Sequence, residues 1–263
     1  ISMRPKEKEF GKFTFNVMIT GDWACFTNQT FKTERVSYDI PTPCGLVGVL
    51  EHVIWKHPVI YRIKKIAVCN PVQFMNVKKN GVLKKGSLEK ITNEMNGKES
   101  CVCITNNMRL QRNTRYLYDV KYIVQVEATI VDRKCDRDKA DGVDVFAKWQ
   151  EMILHNFKNK IYRRFPYLGI SDCLANITYV PNFDEAVKQH MSEEMKGVYI
   201  DYGTMRYKVE YRNEDYPDNK DWEHPKFEQD SDTAFYHAVM ENGIIDVEKS
   251  VKEEGVYRVE RSL

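Results

Sequence analysis

The spacing of apolar residues predicts two amphipathic helices that pack on a sheet. Leu46, Leu50 and Val53 recur at three- and four-residue intervals, so a helix should begin after Thr42 and run to Lys56-His57, before Pro58. A second helix is expected over about residues 143–162, with the apolar stripe Phe146, Trp149, Ile153 and Phe157. We expect the following side chains to be buried beneath the sheet: Leu46, Leu50, Val53, Phe146 and Ile153.

Alternation of apolar and polar residues predicts the strands. Strands are expected over about residues 10–20, 61–68, 72–77, 116–131 and 177–180, and that over 116–131 should be central. A strand, a closely packed helix and a second strand on one sheet form the opening of a ferredoxin-like (RRM-like) domain. The sequence therefore predicts an α+β fold with such a domain over residues 8–182.

The remaining residues, 183–263, alternate strongly in two stretches. Residues 198–212 and 234–248 are expected to be antiparallel strands, and the acidic segment between them, with Pro217 and Pro225, should be a surface loop. This region is predicted to form a small C-terminal antiparallel β-sheet.

A basic stretch at about residues 78–115 has no sustained period and contains three X-Gly turn signals. It carries nine Lys and Arg against three Glu. One interpretation is a solvated insertion. The other is an arm that grips RNA, because cations interleave with tyrosines at its end and just beyond it: Arg109, Arg112, Arg115 and Lys121 with Tyr116, Tyr118 and Tyr122.

The net charge of +2 conceals an asymmetry. Residues 1–182 contain 29 Lys and Arg against 18 Asp and Glu, whereas residues 183–263 contain 11 against 20. A basic front half favours nucleic-acid binding. No apolar run has the length of a membrane span and no signal peptide is visible, so a cytoplasmic protein is expected.

Neither a metal nor a cofactor is indicated by the sequence. The seven cysteines are scattered, and Cys101 and Cys103 form the only close pair, without a second pair at zinc spacing. Reduced, mostly buried thiols are the expectation. There is also no phosphate-binding glycine loop and no Ser-His-Asp arrangement.

Several stretches, in order, resemble one known family. They are GDWACFT, ERVSYDIPTP, GVLEHVIWKHP, IAVCNPVQF, PYLG and AVMENG. Together they are similar to the CRISPR-associated Cas-five family, subtype I-C (Dvulg type), of the RAMP superfamily. The resemblance implies a RAMP domain that binds CRISPR RNA, at the repeat hairpin or 5′ handle, within a type I-C interference complex. It also implies metal-independent cleavage of precursor RNA by its own 2′-hydroxyl, which leaves a 2′,3′-cyclic phosphate.

The catalytic residues that the resemblance implies are only partly present. The family uses a tyrosine on the first helix and a Lys-His pair at the start of the second, where this sequence has Ile54 and Lys148-Trp149. Only Lys148 matches. His155 lies seven residues later on the same helix face and is a candidate substitute, as are His57, His52 and Tyr38.

We expect RNA binding through these residues: Arg35, Tyr38, Lys56, Arg109, Arg112, Arg115, Lys121, Arg163 and Arg164. RNA binding is better supported by the residues than nuclease activity. A non-catalytic structural subunit that caps the RNA 5′ end is the alternative. A protein-binding adaptor that uses the acidic tail is a third class, against which the basic front half argues.

Overall fold

The computed structural model describes residues 8–28, 30–31, 34–83, 88–98, 108–132, 135, 138–139, 141–211 and 231–259. In this part of the chain there are ten strands and five α-helices. The strands are β1 (Glu9–Ala24), β2 (Arg35–Val36), β3 (Val59–Val68), β4 (Gln73–Val82), β5 (Arg109–Val131), β6 (Asn176–Val180), β7 (Tyr199–Tyr211), β8 (Ser231–Glu241), β9 (Ile244–Asp246) and β10 (Tyr257–Val259). The helices are α1 (Pro43–Val53), α2 (Leu88–Met95), α3 (Val145–Lys158), α4 (Phe183–His190) and α5 (Val247–Glu253).

The long strand β5 is the centre of one curled, mostly antiparallel sheet. β1 and β3 pair with its two edges, β6 lies outside β1, and β9 lies outside β3. β8 then pairs with β7, β9 and β10. The C-terminal strands are therefore antiparallel, as predicted, but they extend the main sheet through β9 and do not form a separate sheet.

The basic stretch is built as a β-ribbon, which we call the arm: β4 paired with residues 109–118 of β5. Asp119, with φ of 49°, marks the point where the partner of β5 changes from β4 to β3. The prediction of a stretch without regular structure was wrong for residues 78–82 and 109–115. Both faces of this ribbon are largely exposed to water, so polar and charged residues occupy both of them. These residues therefore lack the alternation of apolar and polar side chains that marks a half-buried strand.

The main core lies between one face of the sheet and the helices α1 and α3. Leu46, Leu50, Val53 and Ile153 are each 1% exposed or less, which confirms the predicted helix faces. Phe146 is only half-buried, so that prediction was wrong. Its ring packs at the rim, edge-on to Phe13 with a centroid distance of 6.2 Å. Helix α4 covers the opposite face of the sheet around Ala67 and Ile123.

Helix α1 begins as predicted and ends earlier. Thr42 Oγ1 accepts a hydrogen bond from the Gly45 N–H at 3.1 Å, and Pro43 occupies the first turn. The helix stops at Val53 because Ile54 is extended, with φ of −146°. Lys56 and His57 therefore lie in the following loop, contrary to the prediction.

Two other segments differ from the predicted elements. Helix α3 is shorter at both ends than residues 143–162, and the Asp144 carboxylate caps it. The single strand expected over 234–248 is instead β8, β9 and the start of α5. A two-residue turn, Asn242-Gly243, joins Glu241 to Ile244 with positive φ at both turn residues, which is the favoured geometry for a tight hairpin.

No helix among these described ranges is long and apolar enough to cross a membrane. Cys25, Cys69 and Cys173 are buried, and burial raises the pKa of the Cys69 thiol to about 11. The close pair Cys101 and Cys103 lies outside the described residues.

Candidate RNA-binding surface

The cations expected to bind RNA share one property. In the part of the chain that the structure describes, none of these eight forms an ion pair with a carboxylate: Arg35, Lys56, Arg109, Arg112, Arg115, Lys121, Arg163 and Arg164. Lys121 is half-buried and the other seven are exposed. Several other lysines do have carboxylate partners, such as Lys12 with Glu9. The unpaired cations are therefore available to an external anion.

The three arginines of the arm lie on two faces of the ribbon. Arg109 and Arg115 are opposite Val82 and Asn76, whereas Arg112 is opposite Lys79 on the other face. The Arg115 guanidinium lies 3.6 Å from the centroid of the Phe74 ring, an arrangement that holds it in place. The arm therefore presents positive charge on both faces, and its arginines do not form a single row.

Two of the three tyrosines that alternate with these cations belong to the core. Tyr116 is 3% exposed and Tyr122 is 2% exposed, so neither ring can accept an unstacked base. Burial raises the pKa of the Tyr122 hydroxyl. Tyr118, at 41% exposed, is the remaining candidate. The prediction was wrong for Tyr116 and Tyr122 because both rings are buried, on either side of the buried Val120 in β5.

The other expected residues of the front half are separated from one another. Arg35 lies in β2, beside Thr114 at the base of the arm. Tyr38 is half-buried, and burial raises the pKa of its hydroxyl. Lys121 is six residues along β5 from Arg115, or roughly 20 Å. It therefore lies outside the arm, in a different part of the surface.

A second basic group forms at the C-terminal end of α1. The segment after α3, residues 161–175, is called the connecting segment. The N–H groups of Arg163 and Arg164 donate to the carbonyls of Val53 and His52 at 3.1 and 3.0 Å. These bonds satisfy acceptors that a helix end leaves open, and they bring both arginines to the loop that contains Lys56. The Arg163 guanidinium lies 5.3 Å from the Trp55 ring centroid.

His52 has a defined orientation in this group. Its Nδ1–H donates to the Gly48 carbonyl oxygen at 2.5 Å, and its ring lies 4.4 Å from the Tyr167 ring. Because a carbonyl can only accept, Nδ1 carries the proton and Nε2 is the basic nitrogen of the neutral ring. Beside it, burial raises the pKa of the Glu51 carboxyl, an effect that the charge of Arg163 opposes.

The candidate residues of α3 are arranged differently. Lys148 Nζ donates to Asp138 Oδ1 at 2.6 Å, so this lysine already has an anionic partner. His155 lines the same shallow groove as Lys148, as their seven-residue spacing predicts. Its Nδ1 lies 3.1 Å from the Asn159 amide nitrogen, which also donates to the His155 backbone carbonyl. The lone pair of Nδ1 is therefore occupied.

The positions that correspond to the expected catalytic tyrosine and histidine are both buried. Ile54 is 4% exposed, and its carbonyl accepts a hydrogen bond from the Tyr61 hydroxyl. The Tyr61 ring contacts Phe15, and Phe15 packs against Phe157 near the end of α3. Lys148 is nine residues earlier on α3, which is about 13 Å along the helix axis. Trp149, the neighbour of Lys148, is only 8% exposed.

Comparison with known proteins decides the family. Residues 16–248 match the family model Cas_Cas5d, described as CRISPR-associated protein (Cas_Cas5). The chain belongs to the Cas5d family. A relative named CRISPR pre-crRNA endoribonuclease Cas5d, from Mannheimia succiniciproducens, is 27% identical over 90% of this chain and 95% of its own length. A relative of the same name from Thermus thermophilus is 30% identical over 58% of each chain.

A solved structure titled "Crystal Structure of CRISPR-associated Protein" has the same fold as this Cas5d-family chain. The TM-score is 0.62 at 20% identity, and the alignment covers 94% of this chain and 98% of the other. At this level of identity the likeness concerns the fold alone.

Three features of the surface were not predicted from sequence. They are the Asp138 partner of Lys148, the position of Trp55 under Arg163, and the exposure of Phe165. Phe165 is 80% exposed and follows two exposed arginines. The run Arg-Arg-Phe-Pro was its only sequence signal. The pairing with Asp138 depends on the tertiary fold and leaves no signal in the sequence.

Proposed function

We propose that this Cas5d-family chain binds the repeat-derived part of CRISPR RNA as a subunit of a type I-C interference complex. The observation that carries the proposal is the set of eight cations that have no carboxylate partner within the described residues. Unpaired lysine and arginine side chains bind phosphates with release of counterions, which makes affinity large and salt-dependent. Both relatives are named CRISPR pre-crRNA endoribonuclease, which supports RNA as the anion that these cations bind.

The connecting segment supports a continuous path for RNA between the two basic regions. At one end its backbone binds the end of α1, and farther along Asp172 forms an ion pair with Lys79 of the arm. Arg163 and Arg164 therefore lie on the same stretch of chain that reaches the arm at Lys79. We infer that RNA runs along this segment from the end of α1 toward the arm.

We also infer that residues 8–182 form a ferredoxin-like (RRM-like) RNA-binding unit. The strand order β3-β5-β1-β6, with α1 and α3 as the two crossover helices, supports this. Residues 183–263 then act as an extension that lengthens the sheet at β3.

Cleavage of the RNA is the second candidate function. It requires that the 2′-oxygen lose its proton and attack the phosphorus while the bond from phosphorus to the 5′-oxygen breaks and that oxygen gains a proton. The expected tyrosine and histidine are replaced by Ile54 and Trp149, and Lys148 is paired with Asp138. His52 supports some residual activity, because its Nε2 is the basic nitrogen and it lies beside two arginines.

A structural role at the 5′ end of CRISPR RNA is the alternative without catalysis. It requires only the fold and the unpaired cations, and it is consistent with the pairing of Lys148. The comparison of binding with cleavage in one experiment separates the two.

The test uses a fluorescein-labelled repeat RNA, with EDTA present throughout. Fluorescence anisotropy gives Kd at several salt concentrations, and a denaturing gel of the same samples detects cut RNA. We expect Kd to rise steeply with salt, with a log–log slope of several units. Failure to bind at low salt, or binding without salt dependence, would contradict the proposed function.

A further inference from the structure

We propose that Phe165, with Arg163 and Arg164, forms a platform on which one unpaired RNA base stacks. This inference rests on the proposed function, since it names the form of RNA that the end of α1 accepts. It concerns a single-stranded nucleotide and not the paired stem of a hairpin.

The packing of the described residues does not account for the exposure of Phe165. Its side chain is 80% exposed, whereas most phenylalanines of the described residues are buried or packed against the core. Burying such a ring against a partner is favourable because it removes a large apolar area from water. A single exposed apolar side chain is common on protein surfaces, so the case for a contact depends on the fixed backbone and on the arginines that precede the ring.

The backbone around Phe165 is held in place on both sides. Before it, the Arg164 N–H donates to the His52 carbonyl at 3.0 Å. After it, Pro166 is buried and its carbonyl accepts from the Ala175 N–H at 2.9 Å. The ring is thus displayed from a fixed main chain, and binding a base does not require that this segment be ordered first.

The charges around the ring favour a nucleotide as its partner. Arg163 and Arg164 are exposed and form no ion pair with a carboxylate in the described residues, although the charge of Arg163 interacts with the Glu51 carboxyl. Both arginines directly precede Phe165 in the chain. An aromatic face accepts a base of any sequence while the neighbouring cations bind the phosphates on either side. A protein partner would have to supply carboxylates to these arginines as well as an apolar pocket.

The experiment measures binding of a fluorescein-labelled ten-nucleotide oligouridylate to the full chain. We expect F165A to weaken binding about 5- to 150-fold, which corresponds to the loss of one stacked base. The slope of log Kd against log salt should not change, because the substitution removes no charge. F165W should bind at least as well as wild type, since a larger aromatic face replaces the ring.

F165L separates stacking from apolar contact. Leucine keeps the apolar surface but has no aromatic face, so F165L should be as weak as F165A if a base stacks. Equal binding by F165L and wild type would overturn the proposal. A matched control is Y257A, which removes an exposed aromatic ring from β10, 51% exposed, and should leave Kd unchanged.

The experiment distinguishes failure of the stacking platform from failure of the proposed RNA-binding function. Failure of the wild-type chain to bind oligouridylate and repeat RNA alike would contradict the proposed function. Salt-dependent binding that is equal in wild type and F165A would contradict only the platform. In that case a protein subunit is the alternative partner of Phe165, and the same variant should impair assembly of the complex and not RNA affinity.

Discussion

Lys148 shows how one neighbouring side chain changes what a residue can do. The family resemblance implies that it stands at the position of a catalytic lysine, but the structure places Asp138 2.6 Å from its Nζ. A cation that already has a carboxylate partner gains less from a phosphate than an unpaired one does. Arg163 and Arg164, without such partners among the described residues, are therefore better candidates for binding phosphates.

Burial was the residue property that the sequence predicted best. Leu50 is fully buried in α1, so Leu50→Ala should lower the free energy of unfolding by about 2–5 kcal/mol, because it removes apolar packing and leaves a cavity. Urea denaturation followed by circular dichroism measures this. Leu88→Ala is the control, because Leu88 is 82% exposed on α2 and should change stability by less than about 0.5 kcal/mol. Similar destabilisation of both variants would contradict the predicted core.

His237 introduces a pH dependence that the sequence did not indicate. Its Nε2 lies 2.7 Å from Asp201 and its Nδ1 lies 2.7 Å from Glu254. Hydrogen bonds to Asp201 and then to Glu254 raise the pKa of His237 above its usual value of 6.5. The protonated ring therefore contributes its full stabilisation at pH values below the unfolded-state pKa of His237. This contribution is lost as the pH rises through the higher folded-state pKa.

The corresponding measurement compares wild type with His237→Gln at several pH values. The stability difference in favour of wild type should be largest below pH 6.5 and should shrink as the pH is raised. It will be small because all three groups are partly exposed. An NMR titration of His237 gives its pKa directly, and a value at or below 6.5 would contradict the assignment.

At the scale of elements, the helices and central strands could be predicted because their apolar residues recur with a regular spacing. The hairpin of β8 and β9 was missed even though Asn242-Gly243 is a strong turn signal, since residues 234–248 alternate on both sides of it. The end of α1 was misplaced for a different reason. Backbone donors from residues 163 and 164 replace the last helical turn, and these come from a distant part of the chain.

The turn at Gly169 fixes the connecting segment against the first strand. Gly169 has φ of 85°, and a Cβ there would overlap the backbone carbonyl of Cys25. Gly169→Ala should therefore cost about 1–2 kcal/mol for the left-handed backbone and about 1–3 kcal/mol more for the overlap. Gly142→Ala is the matched control, with φ of 68° and open space around it, and should show only the first effect. Thermal unfolding of both variants measures the difference.

At the scale of the whole molecule, the sequence predicted the basic surface but not its arrangement. The charge asymmetry between residues 1–182 and 183–263 and the cations of the arm could be seen in the chain. The position of Arg163 and Arg164 at the end of α1 could not, because it depends on how the connecting segment returns to that helix. The same is true of β9, whose pairing with β3 joins the C-terminal strands to the sheet.

The arm provides a test of the electrostatic part of binding. Replacing Arg109, Arg112 and Arg115 with alanine should weaken repeat-RNA binding and reduce the salt slope by about 1 for each arginine that neutralises a phosphate. The charge-matched control replaces Lys12, Lys196 and Lys252, each of which has a carboxylate partner. An unchanged slope in the arginine variant, or an equal reduction in the control, would exclude the arm as a phosphate-binding element.

For RNA cleavage, the family relationship and the residues of this chain lead to different expectations. The named relatives are endoribonucleases, whereas the family resemblance aligns the expected tyrosine and histidine with Ile54 and Trp149, which cannot transfer protons and are 4% and 8% exposed. General acid and base groups typically contribute about 10²- to 10⁴-fold each. We therefore expect tight binding of repeat RNA with slow or undetectable cutting in EDTA.

Any residual cutting should depend on His52, because its Nδ1 is held by the Gly48 carbonyl and its Nε2 is the basic nitrogen. His52→Gln should remove that activity while leaving Kd within a few-fold of wild type, whereas His155→Ala, at an exposed histidine whose Nδ1 is occupied by Asn159, should change neither. Single-turnover assays on a denaturing gel measure both rates. His57→Ala is included because the His57 ring lies 5.1 Å from the Trp55 ring, in the same loop. Rapid, EDTA-resistant cutting that survives all three substitutions would show that the catalytic groups lie elsewhere on the chain.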